Sequence, residues 1–130
     1  MGSESEARLG EWRFAATPEH VPLMRHRVGR AVDGLGVDQD AVALAVTEAV
    51  ANAVRHAYPH GGGEVRVVVE MAADAVTVSV TDQGVGVRGF TASRSPGAGL
   101  GLGMIKALAD RARIEPGSDG TLVEMVFERS

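Results

Sequence analysis

The chain has 130 residues, 45% of them hydrophobic, and a formal net charge of −4. This length and composition are typical of one globular domain with a hydrophobic core, and they exclude intrinsic disorder and a second domain as default expectations. Because the chain has no cysteine, disulfides and thiolate metal sites are excluded, and the negative charge argues against direct nucleic-acid binding.

Residues 1–9 are predicted to form a flexible polar tail, and residues 10–130 a single domain. The tail lacks the apolar core of a signal peptide, and no apolar run reaches the roughly 18 residues of a membrane span. We therefore expect a cytoplasmic protein without membrane contact. Alternating polar and apolar residues around Trp12 and Phe14 predict a first strand over residues 10–16.

Two helices are predicted to follow this strand. The first covers residues 18–34 and has Thr17 at its N-cap position. The second covers residues 41–58 and has Asp38 as its cap, with small apolar residues recurring three and four positions apart. This stripe predicts that the second helix packs on a sheet.

Two runs rich in β-branched residues, 64–72 and 75–82, are separated by only two residues and predict an antiparallel hairpin. Residues 83–96 have no regular period. They predict a loop that is long for so compact a chain, which favours a lid over a binding site rather than a plain connection.

A third helix is predicted over residues 98–112, and a last pair of strands over residues 112–116 and 121–128. The order is thus strand, two helices, two strands, helix, two strands. It predicts an α+β fold, a two-layer sandwich in which a mixed, mainly antiparallel sheet is covered on one face by three helices.

Glu48 and Asn52 lie four residues apart on the flank of the second predicted helix, so their side chains point the same way. The amide oxygen of Asn52 is a suitable Mg²⁺ ligand, and the carboxylate of Glu48 can accept a proton from a hydroxyl that attacks a phosphoryl group. The alternative is a solvated polar pair, and this helix alone does not decide between the two.

Asp82 ends the second strand of the hairpin and is followed by Gly84 and Gly86. A carboxylate at this position can accept a hydrogen bond from an exocyclic amine such as that of adenine. The two glycines would let a flat ligand approach the backbone closely. An ordinary Asp-Gly turn is the alternative.

The start of the third predicted helix, residues 97–103, carries glycine at every second position and leaves backbone N–H groups open to phosphate. Each glycine inside a helix costs about 1 kcal/mol relative to alanine, so either phosphate binding or close packing must offset that cost. Thr121, at the opening of the last strand, would turn its hydroxyl toward the same end of the sheet, although a strand-favouring threonine is the simpler account.

One pair of histidines has the spacing of a metal site. His56 and His60 are four residues apart, but Pro59 interrupts that end of the helix, and a metal site there is disfavoured.

Three motifs occur in order: Glu-x-x-x-Asn at 48–52, Asp-x-Gly-x-Gly at 82–86 and Gly-x-Gly-Leu-Gly-Leu at 97–102. Together they resemble the N, G1 and G2 boxes of the GHKL ATP-binding superfamily, which includes the catalytic domains of gyrase and histidine kinases. Residues 47–58 are most similar to the stand-alone anti-sigma-factor serine/threonine kinases of that superfamily.

The resemblance implies that the chain binds ATP and Mg²⁺. Asn52 would coordinate Mg²⁺, Glu48 would act as the catalytic base, and Asp82 would read the adenine amine. The remaining residues that the resemblance assigns to nucleotide binding are His56, Gly84, Gly86, Gly97, Gly99, Leu100, Gly101, Leu102, Gly103 and Thr121. Arg94 is a further candidate phosphate contact, because of its charge and its position in the lid.

The implied function is an ATP-dependent protein kinase that phosphorylates a serine or threonine of an anti-sigma-factor antagonist of the STAS type. Such a kinase would also bind a sigma factor and would form a homodimer. Two alternatives remain open: a non-catalytic, ATP-gated protein-binding module, and an α/β scaffold whose glycines only help packing.

Overall fold

The computed structural model describes residues 6–58, 62–84, 102–117 and 120–130. Within these ranges the chain forms β1 (Ala7–Ala15), α1 (His20–Ala31), α2 (Gln39–His56), β2 (Glu64–Met71), β3 (Ala75–Asp82), α3 (Leu102–Leu108), β4 (Arg111–Gly117) and β5 (Gly120–Glu128). This element order is the predicted one. None of the three helices described has both the length and the apolar content that a membrane crossing requires.

The five strands form one sheet in the order β1-β2-β3-β5-β4, and the four pairings described are all antiparallel. The predicted hairpin of β2 and β3 is confirmed, with Val67 opposite Val80. After β3 the chain passes through α3 and β4 before β5 returns to pair with β3. The predicted α+β fold, with its helices on one face of the sheet, is confirmed.

The core lies between the helices and one face of the sheet. Alternate residues of the two central strands point into it, and these are Val76, Val78 and Val80 from β3 and Val123, Met125 and Phe127 from β5. The small apolar stripe of α2 packs over them, including Val46 and Ala49. Following the same alternation, Asp82 and Thr121 are the next residues on this buried face, where an apolar pair would be expected.

The opposite face of the sheet carries exposed ion pairs. Glu11 of β1 accepts hydrogen bonds from Arg66 at 2.7 Å and from Arg8 at 3.0 Å. The bond from Arg66 lowers the pKa of Glu11 to about 2. Polar residues on one face and apolar residues on the other are what a sheet with one solvated side requires.

The cap of α2 is confirmed, whereas the predicted cap of α1 is wrong. The Asp38 carboxylate accepts a hydrogen bond from the backbone N–H of Ala41 at 3.1 Å. The side chain of Thr17 instead contacts the ring nitrogen Nδ1 of His20 at 2.9 Å, and Glu19 holds the N-cap position without a side-chain cap bond. A turn over residues 17–20 delays the helix, which begins at His20.

Other boundaries also differ from the prediction, among them the end of α1, which lies at Ala31 instead of residue 34. β1 begins at Ala7, which pairs with Met71, so residues 7–9 lie in the sheet. α3 ends at Leu108, since Ala112 belongs to β4 and pairs with Met125. The predicted lid beyond Gly84 and the first residues of the predicted third helix lie outside the described residues.

Candidate functional site

Asp82 and Thr121 face each other across the last position of the β3–β5 ladder, on the buried face. The exposed fractions of the two residues are 6% and 4%. Burial raises the pKa of the Asp82 carboxyl, although hydrogen bonds from the backbone N–H groups of Gly84 and Thr121 act in the opposite direction. The end of the sheet therefore presents a partly desolvated carboxylate beside a buried hydroxyl.

Two polar atoms near this end of the fold are buried without a hydrogen bond. Neither the Nδ2 of Asn52 nor the Oγ1 of Thr121 has a partner among the described residues. Leaving a buried donor or acceptor unsatisfied costs about 1–3 kcal/mol, so such atoms are rare in folded chains without a reason. A bound molecule with polar groups of its own would satisfy both atoms.

α2 carries three of the predicted residues along one side. Glu48 and His56 lie one turn before and one turn after Asn52, and both are half-buried, whereas Asn52 is buried. At 1.5 Å of rise per residue the three side chains span about 12 Å. A ligand that extends along α2 could contact all three.

The Oδ1 of Asn52 accepts a hydrogen bond from the Nη2 of Arg55 at 3.2 Å. A guanidinium group has only donors, so the atom that faces Arg55 must be the amide oxygen. The Nδ2 of Asn52 is thereby turned away from Arg55.

The turn after β3 is held against the end of α2. A Cβ atom at Gly84 would overlap the carbonyl oxygen of Ala57, so only glycine allows this approach. In the structure the close neighbour of Gly84 is Ala57, at the end of α2, and the approach of a ligand to Gly84 stays a prediction. Because Ala57 is five residues beyond Asn52, this contact brings Asp82 near the helix that carries Asn52.

Tyr58 connects the end of α2 to the turn after β3, a role that the sequence motifs do not predict. Its hydroxyl donates a hydrogen bond to the carbonyl of Glu64 at 2.7 Å and accepts one from the backbone N–H of Gln83 at 2.9 Å. A Cβ atom at Gly63 would overlap its ring. A tyrosine at a helix end, with glycines at 63 and 84, was the signal available in the sequence.

An open groove of about 440 Å³ lies at this end of the sheet, and Asp82, Gln83 and Thr121 are among its lining residues. Thr81 and Leu122 line it as well. These two belong to the face opposite the helices, because they precede and follow residues of the buried face. The groove therefore runs along the ends of β3, β5 and β4, where residues 115–117 complete its lining, and no described residue of α2 lines it.

The structure thus brings Asn52, Asp82, Gly84 and Thr121 to one end of the fold. Leu102 and Gly103 open α3, where a Cβ atom at Gly103 would meet no atom of the described residues within 4 Å. The other predicted contacts lie outside the described residues and stay predictions, and these are Gly86, Arg94, Gly97, Gly99, Leu100 and Gly101.

The chain is similar to proteins named as an anti-sigma factor and as a serine-protein kinase. It is 38% identical over 94 residues to the anti-sigma F factor of Pasteuria penetrans, an alignment that spans 62% of each chain. It is 29% identical to the serine-protein kinase RsbW of Staphylococcus aureus, over 88% of this chain and 84% of the relative.

Among solved structures, the RsbU and RsbW domains of Rv1364c from Mycobacterium tuberculosis superpose with a TM-score of 0.68 at 24% identity. The match covers 93% of this chain but only 33% of that one, and at this identity it supports the fold alone. It agrees with the α+β architecture described above.

A family model described as a histidine kinase-like ATPase domain matches residues 14–127, from within β1 to within β5. The match includes Asn52, Asp82 and Thr121, and it confirms the GHKL resemblance. An ATPase domain implies a site for ATP, which fits the unsatisfied polar atoms at the end of the sheet. The chain belongs to the family of histidine kinase-like ATPase domains.

Proposed function

We propose that this protein is a Mg²⁺- and ATP-dependent serine/threonine kinase that phosphorylates an anti-sigma-factor antagonist of the STAS type and also binds a sigma factor. The observation that carries the nucleotide site is the pair of buried, unsatisfied atoms, Asn52 Nδ2 and Thr121 Oγ1, near the buried carboxylate of Asp82. The family membership and the names of the relatives support the kinase and anti-sigma roles.

Asp82 would recognise the base. Its carboxylate accepts a hydrogen bond from the exocyclic amine of adenine, and the Thr121 hydroxyl makes a second polar contact beside it. A site that leaves a buried acceptor unpaired discriminates strongly against a base lacking the matching donor. This arrangement favours adenine over guanine, which presents a carbonyl where adenine has its amine.

The phosphates would extend along α2 toward Asn52 and Glu48. Mg²⁺ bound to the nucleotide would supply positive charge to the transferring phosphoryl group, and the Asn52 oxygen is a ligand type that this ion accepts. Glu48 lies about 6 Å further along the helix axis. Its carboxylate would take the proton of the attacking serine or threonine hydroxyl as the bond from the γ-phosphorus to ADP breaks.

Surface charge supports the proposed binding of a protein partner. Arg25, Arg27 and Arg30 of α1 are exposed on a chain whose net charge is −4, and they offer a basic surface to an acidic partner. A homodimer in the cytoplasm, without direct contact to nucleic acid or membrane, completes the proposal.

The test is a phosphate-transfer assay with γ-labelled ATP and the proteins that co-purify with this chain. Wild type should label a partner on serine or threonine. Glu48→Gln, which keeps the side-chain shape but removes the base, should bind ATP and label nothing. If wild type binds ATP but labels no partner, the protein is an ATP-gated binding module.

Nucleotide binding itself has a simpler check. A ligand at a hundred times its dissociation constant stabilises the folded state by roughly 2.7 kcal/mol, so ATP should raise the melting temperature. Absence of any shift with ATP or ADP would leave only the scaffold alternative.

A further inference from the structure

The contact between Arg55 and Asn52 involves the atom that a metal ion would need. The Oδ1 of Asn52 accepts from the Nη2 of Arg55 at 3.2 Å, and an asparagine binds Mg²⁺ through this same oxygen. Asn52 is buried, whereas Arg55 is exposed. The guanidinium of Arg55 therefore has access to water when it leaves the Asn52 oxygen, whereas Asn52 stays buried.

Arg55 and Mg²⁺ cannot both stay close to this oxygen without strong repulsion. Mg²⁺ binds oxygen ligands at about 2.0–2.1 Å, so an ion on Oδ1 would lie roughly 4–5 Å from a guanidinium nitrogen that kept its present place. A charge of +2 and a charge of +1 at that separation repel each other in a partly buried site. Binding of the ion thus favours release of the guanidinium.

A guanidinium has a second suitable partner in this site. Its planar donors match the oxygens of a phosphate group, and it keeps its charge at all relevant pH values. Arg55 lies on the same helix as Glu48 and Asn52, where the proposed nucleotide places its phosphates.

We propose that Arg55 is a built-in cation that sets the metal dependence of nucleotide binding. In the absence of Mg²⁺ its guanidinium holds Asn52 Oδ1 and contacts the phosphates of a metal-free nucleotide. When the Mg²⁺–nucleotide complex binds, the ion takes the oxygen and Arg55 leaves it. This inference rests on the proposed function only in requiring a nucleoside triphosphate along α2.

The experiment measures the dissociation constant of a fluorescent ATP analogue in excess EDTA and across a Mg²⁺ titration. Arg55→Gln should weaken metal-free binding about tenfold, the equivalent of one charge-assisted hydrogen bond, and should lower the Mg²⁺ concentration at half-maximal effect. Arg55→Lys keeps the charge without the planar donors and should lie between wild type and Arg55→Gln.

Arg111→Gln removes the same charge from an exposed position of β4, at the far end of the β4–β5 ladder from Thr121, and should leave both quantities unchanged. Melting temperatures without nucleotide check that each variant is folded. If Arg55→Gln matches wild type in both quantities, or weakens binding equally with and without Mg²⁺, the inference is overturned while the nucleotide site stands. If wild type binds no nucleotide at all, the proposed function fails, and this inference fails with it.

Discussion

The hydroxyl of Tyr58 accepts a hydrogen bond from the backbone N–H of Gln83 at 2.9 Å. The same hydroxyl donates to the carbonyl of Glu64, at the start of β2. One side chain at the end of α2 therefore fixes both the first residue of a strand and the turn that follows Asp82. The distance between Asp82 and α2, which are the proposed base and phosphate sides of the site, therefore depends on Tyr58.

Tyr58→Phe should loosen this connection. Two hydrogen bonds are lost while the ring stays in place, so the free energy of unfolding should fall by about 1–2 kcal/mol. ATP affinity should fall as well, because Asp82 is held less firmly relative to α2. Urea unfolding and titration with a fluorescent ATP analogue measure the two effects.

Thr47→Val provides the matched control for Tyr58→Phe. It removes a hydroxyl from α2, the helix that Tyr58 follows, but this hydroxyl bonds to the carbonyl of Ala43 within the helix at 2.8 Å. Stability should change without a comparable change in ATP affinity. Equal effects of the two variants on affinity would show that Tyr58 has no special role in positioning the site.

Substitution of Gly84 and of Gly103 by alanine should have opposite effects on stability, because only Gly84 lies against another backbone segment in the described structure. A Cβ atom at Gly84 would overlap the Ala57 carbonyl, so Gly84→Ala should push the turn away from α2, lower the free energy of unfolding by more than about 2 kcal/mol and weaken ATP binding. The methyl group of Gly103→Ala would meet no atom in the part of the chain that the structure describes, so this variant should raise the free energy of unfolding by up to about 1 kcal/mol through helix propensity.

Nucleotide affinity of Gly103→Ala then tests the predicted phosphate contact at the start of α3. Weaker ATP binding in a more stable protein would favour that contact. Unchanged affinity would remove Gly103 from the predicted site, whatever the effect on stability.

The elements with strong periodicity were predictable from the sequence. α2 and the hairpin of β2 and β3 match their predicted ranges closely, since small apolar residues at helical spacing and β-branched runs exclude most alternatives. The end of α3 was missed because Ala109 and Ala112 fit a helical stripe as well as a strand. Local pattern does not decide such a boundary, but pairing of Ala112 with Met125 does.

The site was only partly predictable as well, because local sequence pattern does not determine which distant residues pair. Asp82 and Thr121 were each recognised by type and position, but their pairing depends on the register of β3 with β5, strands that are separated by α3 and β4. The bond between Tyr58 and the backbone of Gln83 is likewise a tertiary contact, whereas Arg55 and Asn52 lie three residues apart on α2, a spacing that the sequence itself contains. Residue type suggests the chemistry of a site, whereas the fold decides which groups meet.

Thr121→Val should make the protein more stable and a poorer ATP binder. The Thr121 hydroxyl is buried and unsatisfied among the described residues, so replacing it with a methyl group of similar size should raise the free energy of unfolding by about 1 kcal/mol. Loss of its polar contact should weaken ATP by several-fold. Thr121→Ser, which retains the hydroxyl, should restore most of the affinity; a Thr121→Val protein that is less stable and binds ATP normally would contradict a ligand role.

Asp82 should make nucleotide binding depend on pH, and the change should occur at a higher pH than for an ordinary aspartate. Burial raises its pKa above the value of 3.8 expected in the unfolded chain. Ionised Asp82 is therefore a cost to the nucleotide-free fold, one that is absent below pH 3.8 and grows as the pH rises through the folded pKa.

Asp82→Asn removes this cost, so the stability of the variant relative to wild type should increase as the pH rises through the folded pKa of Asp82. Binding should respond in the opposite sense, because only the ionised carboxylate is a full acceptor for the adenine amine. Wild-type affinity for ATP should fall when the pH is lowered through that pKa, whereas Asp82→Asn should bind weakly at every pH. Inorganic triphosphate, which has no base, should bind wild type and Asp82→Asn alike at about pH 7. An equal loss of ATP and triphosphate affinity in Asp82→Asn would show that this carboxylate does not recognise the base.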